Sequence, residues 1–106
     1  MRVVVYGATG RAGSRILEEL IRRGHEVIGV ARSSEAPKTS GSAKWRTDDL
    51  SNVAQIAQII RGADAVVSAY APPREATDEL VGVCKRLAEA VEQAGVPRLL
   101  IVGGGY

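Results

Sequence analysis

Three glycines near the amino terminus have the spacing of a turn that holds a phosphate group. Gly7, Gly10 and Gly13 follow a short β-branched run and precede a segment with helical periodicity. In such a turn the first glycine allows a sharp bend, the second lets a pyrophosphate approach the backbone, and the third lets helix and strand pack closely. The free N–H groups of the first helical turn then face the anion. Three neighbours in the turn join this candidate site: Thr9, Arg11 and Ala12.

A cation stands about twenty residues beyond the glycines, where an NAD-binding domain places Asp or Glu to hold the ribose 2′-hydroxyl. Here Arg32 is followed by Ser33. These residue types suit the 2′-phosphate of NADP, because they can form charge-assisted hydrogen bonds to it. The alternative is a solvated arginine at a strand end. We therefore expect Arg32 and Ser33 to give a preference for NADP over NAD.

The predicted strand at residues 63–69 ends in Ser68 and Ala69, and Tyr70 follows directly. In an open parallel sheet, ligands bind outside the carboxyl ends of the strands, at the point where the strand order reverses. The backbone of these three residues should therefore border the ligand. Tyr70 is a candidate to stack on a nicotinamide or a flavin, and it is equally suited to capping the core.

The elements that must position these residues alternate between strand and helix. Apolar and β-branched runs predict strands at residues 3–6, 26–31, 63–69 and 99–102, and a short third strand is predicted at residues 44–47. Helical periodicity, closed in each case by a glycine, predicts helices at residues 11–23, 53–61 and 76–94. Asp49 and Ser51 are candidate caps of the second helix, as an alternative to a binding role. Right-handed crossovers then give an α/β, Rossmann-like doubly wound parallel sheet with strand order 3-2-1-4-5 and three helices.

The same crossovers place the first helix on one face of the sheet and the other two helices on the opposite face. The first face is then uncovered over the fourth and fifth strands, and half of their large apolar residues are expected to point into water. The full set from which this half comes has six residues: Val66, Val67, Leu99, Leu100, Ile101 and Val102. A contiguous apolar patch usually marks an interface. We therefore expect a homodimer through the fifth strand or the uncovered sheet face.

Composition narrows the class of protein. The chain has 106 residues, of which 45% are hydrophobic and 25% charged, as is ordinary for one globular domain. No apolar run approaches the roughly 20 residues that span a bilayer, and no signal-peptide pattern is present. The single cysteine, Cys84, agrees with a reducing compartment, so a cytoplasmic location is expected. A net charge of +2 without a basic tract disfavours nucleic acid as a partner, and no residues have metal-ligand spacing.

The glycine turn has the pattern G-x-x-G-x-x-G, and in the form GATGRAG it resembles the atypical branch of the short-chain dehydrogenase/reductase superfamily. That branch includes NmrA-like, flavin-reductase-like and biliverdin reductase B-like proteins. The segments RRGHEVIGVAR, DAVVSA and AGVPRLLIVGGG also resemble the first half of these proteins, so the chain is expected to be the N-terminal half of a longer reductase-like fold. The resemblance implies cofactor-binding roles for Gly7, Gly10, Gly13, Arg32, Asp49, Leu50 and Ser68. It places Asp49 and Leu50 against the adenine.

The resemblance stops at the catalytic residues. Members with an active-site triad have a Ser just after the fifth strand and a Tyr-x-x-x-Lys further on, and these 106 residues contain neither. We therefore assign no catalytic residue. Flavin-reductase-like members do not depend on that triad, because the bound cofactor and acceptor supply the chemistry. The open functions are an NAD(P)H-dependent oxidoreductase acting on a flavin, quinone or similar planar acceptor, a non-catalytic NAD(P)-sensing module, and a truncated fragment without the catalytic half.

Overall fold

The computed structural model describes residues 1–8, 11–31, 44–48, 51–69 and 77–101, with the backbone alone at residues 11, 12 and 77–80. Its elements are β1 (Arg2–Tyr6), α1 (Arg11–Arg22), β2 (Glu26–Ala31), β3 (Lys44–Thr47), α2 (Val53–Ile60), β4 (Ala65–Ser68), α3 (Thr77–Ala94) and β5 (Leu99–Ile101). The strands form one sheet in the order β3-β2-β1-β4-β5, and every pair is parallel. The predicted fold class and strand order are confirmed.

The ends of the elements lie within two residues of the predicted ends. The largest difference is at the start of β4, which begins at Ala65 because the N–H of Ala63 is bonded to the carbonyl of Ile60 at 3.0 Å in the turn after α2. The cap of α2 was predicted wrongly. Asn52 is the cap: its Oδ1 accepts hydrogen bonds from the N–H groups of Ala54 (2.9 Å) and Gln55 (3.3 Å). Ser51 lies one residue too early for this geometry, and Asp49 lies outside the described residues.

Helices α2 and α3 cover one face of the sheet. Their buried residues pack with the inward side chains of β1, β2 and β4 in a single apolar cluster. Its large members are Val4, Tyr6, Val30, Val66, Ile56, Ile60, Val83 and Leu87. The three central strands are buried on this face because two helices lie side by side across it.

Helix α1 covers the other face, where Leu17 is buried among residues of β1, β2 and β4. Trp45 of the edge strand β3 joins this layer. A Cβ on Gly29 of β2 would lie 2.8 Å from the Trp45 ring and 2.9 Å from Leu17 Cδ1. The bare backbone at Gly29 therefore makes room for the ring, and Trp45 is a packing anchor of the α1 layer.

The uncovered part of the sheet is smaller than the sequence predicts. Val67 of β4 is only 7% exposed, because it belongs to the apolar cluster under α1. The expectation that the fourth strand faces water is therefore wrong. The expected exposure of apolar residues is found on β5, where Leu100 is 57% and Ile101 46% exposed.

Charged side chains tie the amino ends of the strands together. Arg2 Nε lies 3.0 Å from Glu26 Oε2, and the Arg2 N–H donates to Asp64 Oδ2 at 2.7 Å. Lys44 Nζ lies 3.7 Å from the other oxygen of Glu26. The hydrogen bond from Arg2, and then its charge, lower the pKa of the Glu26 carboxyl. These groups are exposed, so the pairs define an edge of the sheet and contribute little to stability.

None of the helices in the described ranges has both the length and the apolar character needed to cross a membrane.

The first turn of α1 rests directly on the backbone that follows β1. A Cβ on Gly13 would collide with the carbonyl oxygen of Gly7 and lie 2.7 Å from its carbon and 3.0 Å from Ala8 Cα. Backbone cannot move aside as a flexible side chain can. Helix α1 can therefore approach the sheet this closely only because residue 13 lacks a side chain.

We predict that Gly13→Ala lowers the free energy of unfolding by about 1–3 kcal/mol, the usual cost of overpacking. A glycine-to-alanine substitution inside a helix ordinarily stabilises a protein by roughly 0.5–1 kcal/mol. A loss of stability would therefore indicate the collision of the new Cβ with the backbone. Gly82→Ala is the matched control, because a Cβ there meets only the end of the Arg86 side chain, at 3.2 Å. Urea denaturation should show Gly13→Ala less stable and Gly82→Ala unchanged or more stable than the wild type. An unchanged stability of Gly13→Ala would mean that the helix can withdraw from the turn at no cost.

Candidate functional site

The turn after β1 begins with two backbone donors that are already used by the sheet. Gly7 has φ of +72°, a conformation that side-chain-bearing residues rarely adopt. The N–H groups of Gly7 and Ala8 both donate to the carbonyl of Val30, at 3.1 and 3.3 Å. These two groups fix the turn to β2. Among the described residues, donors to a bound anion therefore come from further along, at the start of α1.

The start of α1 offers such donors. Arg11, Ala12 and Gly13 form its first turn, in which N–H groups have no partner within the helix. No acidic residue lies in this turn, so the partial positive charge of the helix terminus is not offset locally. The contact of Gly13 with Gly7 and Ala8 holds this terminus at the carboxyl end of β1. The arrangement suits a phosphate group.

The strand order reverses between β1 and β4, beside this turn. Ser68, the last residue of β4, is buried and in register with Tyr6 of β1. The Ala69 N–H donates to the Tyr6 carbonyl at 2.9 Å, which extends the ladder past the end of β4. In parallel open sheets, ligands lie in the crevice that forms at such a reversal.

The described residues thus bring four predicted site residues to one edge of the sheet: Gly7, Gly13, Ser68 and Ala69. The backbone of Arg11 and Ala12 lies at the same edge. The remaining predicted residues lie outside the described residues; they are Thr9, Gly10, Arg32, Ser33, Asp49, Leu50 and Tyr70. In the described ranges, no group of three or more His, Cys, Asp or Glu side chains could hold a metal ion.

Sequence reasoning missed a polar pair at this edge. The Tyr6 hydroxyl donates to Asp48 Oδ2 at 3.4 Å, and Asp48 is only 4% exposed. The Asp48 N–H also donates to the Ala31 carbonyl at 3.0 Å, at the end of β2. The available signal was a tyrosine that ends an otherwise aliphatic buried strand, because a buried phenol needs a hydrogen-bond partner.

Burial raises the pKa of the Tyr6 hydroxyl well above its usual range, and the negative charge of Asp48 and the hydrogen bond to it raise it further. The hydroxyl therefore stays protonated and acts as the donor to the carboxylate. It is not available as a base.

Comparison with known proteins identifies the family. The sequence model of a family described as NAD(P)H-binding matches residues 7–105, which include the glycine turn and all elements from α1 to β5. The chain belongs to this NAD(P)H-binding family. This agrees with the resemblance noted from the glycine motif and with the Rossmann-like sheet.

Several proteins are similar to this NAD(P)H-binding chain over nearly all of its length. The uncharacterised protein YwnB of Bacillus subtilis is 34% identical over 106 residues, which cover 98% of this chain and 47% of YwnB. The 4-hydroxy-tetrahydrodipicolinate reductase of Natronomonas pharaonis is 38% identical over 100 residues, covering 94% of this chain and 34% of the reductase. Among solved structures, a candidate epimerase of Bacteroides thetaiotaomicron has a TM-score of 0.84 at 37% identity, covering 96% of this chain and 46% of that one.

The NAD(P)H-binding chain therefore spans half or less of the length of these relatives. Its family and fold connect it with the cofactor-binding domains of oxidoreductase-like proteins.

Proposed function

We propose that the chain binds NADP(H) with the pyrophosphate on the first turn of α1, and that it forms the cofactor-binding part of an oxidoreductase. The contact between Gly13 and the backbone of Gly7 and Ala8 is the observation that carries this proposal. It brings a helix N-terminus onto the carboxyl end of the central strand, next to the reversal of strand order. Anionic cofactors bind in this position in Rossmann-like sheets.

In this proposal the residues of the site divide by the part of the dinucleotide that they hold. The glycine turn and α1 hold the pyrophosphate, with Gly7, Thr9, Gly10, Arg11, Ala12 and Gly13. Arg32 and Ser33 hold the 2′-phosphate, and Asp49 and Leu50 contact the adenine. Ser68, Ala69 and Tyr70 border the nicotinamide, because β4 lies on the opposite side of β1 from β2 and β3.

The acceptor we propose is a flavin, a quinone or a similar planar molecule. The nicotinamide supplies a hydride when the cofactor is bound. The chain's own residues hold and orient the dinucleotide, and we assign none of them a proton-transfer role. These 106 residues would then correspond to the N-terminal, cofactor-binding half of a longer reductase-like fold, as the lengths of the relatives suggest.

A non-catalytic sensor of NAD(P) is the second candidate function. It is supported by the lack of a Tyr-x-x-x-Lys pattern in these residues. Such a module would need the same cofactor site and no acceptor. We also propose a cytoplasmic location, in keeping with the single cysteine.

Two substitutions should separate the two phosphate sites. Arg11→Pro removes the first N–H of α1 at a position where proline is compatible with a helix, and Arg11→Ala is its control for loss of the side chain. Arg11→Pro should weaken the binding of NADPH and of NADH by the same factor, relative to Arg11→Ala. Arg32→Ala should weaken NADPH alone. Loss of a hydrogen bond to a charged group costs about 1.5–3 kcal/mol, or about tenfold to a hundredfold in the dissociation constant.

Titration of cofactor fluorescence measures the affinity of the wild type and of each variant for NADPH and for NADH. If Arg11→Pro binds both cofactors as tightly as Arg11→Ala, the pyrophosphate does not rest on the first turn of α1. If Arg32→Ala weakens both cofactors equally, Arg32 does not read the 2′-phosphate.

Turnover should distinguish the oxidoreductase from the sensor. We expect NADPH consumption, followed by its absorbance, when flavins and quinones are supplied one at a time under anaerobic conditions. The control is Arg32→Ala assayed with NADH, whose binding should not need Arg32. Tight binding of NADPH without consumption in the presence of any acceptor would favour the sensor.

We further propose that the chain forms a homodimer through β5. Leu100 and Ile101 are large, apolar and exposed on this strand, which pairs only with β4 among the described strands. An unprotected edge strand with exposed apolar residues readily pairs with another chain.

Leu100→Lys should therefore shift the protein from dimer to monomer in sedimentation velocity at micromolar concentrations. Val81→Lys is the control, since Val81 is similarly exposed but lies on α3. A wild type that sediments as a monomer at every concentration tested would contradict the proposal.

A further inference from the structure

Tyr6 and Asp48 connect two strands that are not neighbours in the sheet. Tyr6 ends β1, Asp48 follows β3, and β2 lies between these strands. Their hydrogen bond of 3.4 Å therefore reaches past the end of β2 on the side of the sheet that α2 and α3 cover. Both residues are buried, so neither side chain is open to a ligand in solution.

Stability alone gives no reason for this pair. A carboxylate is costly to bury even where hydrogen bonds offset part of that cost. Apolar residues of similar size at such positions are often as stable as, or more stable than, the buried polar pair. A directional hydrogen bond fixes the relative position of the two residues, whereas apolar packing does not.

The pair fixes the geometry of the edge where the cofactor site lies. The Asp48 N–H binds the Ala31 carbonyl, so residue 48 is held to the end of β2 as well as to β1. The Tyr6 carbonyl accepts from Ala69, so the same tyrosine also holds the end of β4. The carboxyl ends of these four strands are thus linked through Tyr6, Ala31 and Asp48.

The side of this edge formed by β2 and β3 corresponds to the adenosine half of a dinucleotide. In Rossmann-like domains the residue at the end of the second strand contacts the ribose of the adenosine. Here that strand end is Ala31, the backbone partner of Asp48. A shift of Asp48 would therefore displace the strand ends that surround the adenosine.

We propose that Asp48 and Tyr6 are positioning residues for the adenosine half of the cofactor, holding the ends of β2 and β3 in register with the glycine turn after β1. This inference rests on the proposed cofactor site. Neither residue touches the cofactor. They act through the strand ends themselves, at Ala31 of β2 and Asp48 after β3.

Four proteins test the inference: the wild type, Tyr6→Phe, Asp48→Asn and the double variant Tyr6→Phe/Asp48→Leu. Asp48→Asn keeps an oxygen that accepts from the Tyr6 hydroxyl, so it should rescue binding to within about threefold of the wild type. Tyr6→Phe removes the bond and should weaken binding by about tenfold. The double variant replaces the pair with apolar side chains, so it should be as stable as the wild type in thermal unfolding and still bind about tenfold more weakly.

The probes are NADPH and 2′-phospho-ADP-ribose, titrated by calorimetry below the unfolding temperature of each protein. The second probe contains the adenosine, its 2′-phosphate and the pyrophosphate but lacks the nicotinamide, so the inference predicts equal fold losses for the two probes. A stable double variant that binds both probes like the wild type would overturn the inference and leave the proposed function intact. A loss for NADPH that exceeds the loss for 2′-phospho-ADP-ribose would also overturn it. A wild type that binds neither probe would overturn the proposed function, and this inference with it.

Discussion

The close approach of α1 to the backbone after β1 is the constraint on which the rest of the structure depends. With no side chain at Gly13, the helix axis can start directly above the Gly7 carbonyl. This places the N-terminus of α1 at the edge of the sheet and Leu17 over its centre. The room at Gly29 then lets Trp45 complete the same layer. One missing Cβ thus sets both the packing of a helix and the position of its first N–H groups.

Most of the fold could be predicted because its signals are local. Every strand but β3 is a short apolar run, each helix has a continuous apolar stripe, and the handedness of the crossovers leaves one strand order. The glycine turn could be predicted for the same reason, since Gly7 and Gly13 have roles that depend on residues at most six positions away. The burial of Val67 could not be predicted, because it depends on how far α1 reaches across the sheet. The periodicity of the sequence does not specify that distance.

The polar features of the edge were harder to predict, and each for a physical reason. Asn52 competes for the cap with Ser51, and only the backbone conformation before α2 decides between them. The bond between Tyr6 and Asp48 joins residues 42 positions apart. No local pattern specifies such a partner, because the pairing follows from the strand order and from where each strand ends. Sequence reasoning finds the donors and acceptors of a site more readily than it finds the groups that hold them in place.

The position of Trp45 has a consequence for spectroscopy. It is the only tryptophan in the chain, and it packs in the layer between α1 and the sheet. Its indole Nε1 is buried and donates to no partner among the described residues, so the ring emits from an apolar environment. Fluorescence excited selectively at the tryptophan, and not at the three tyrosines, therefore reports on the α1 layer. Circular dichroism also reports on α2 and α3, so a difference between the two signals during unfolding would show that the two faces of the sheet come apart separately.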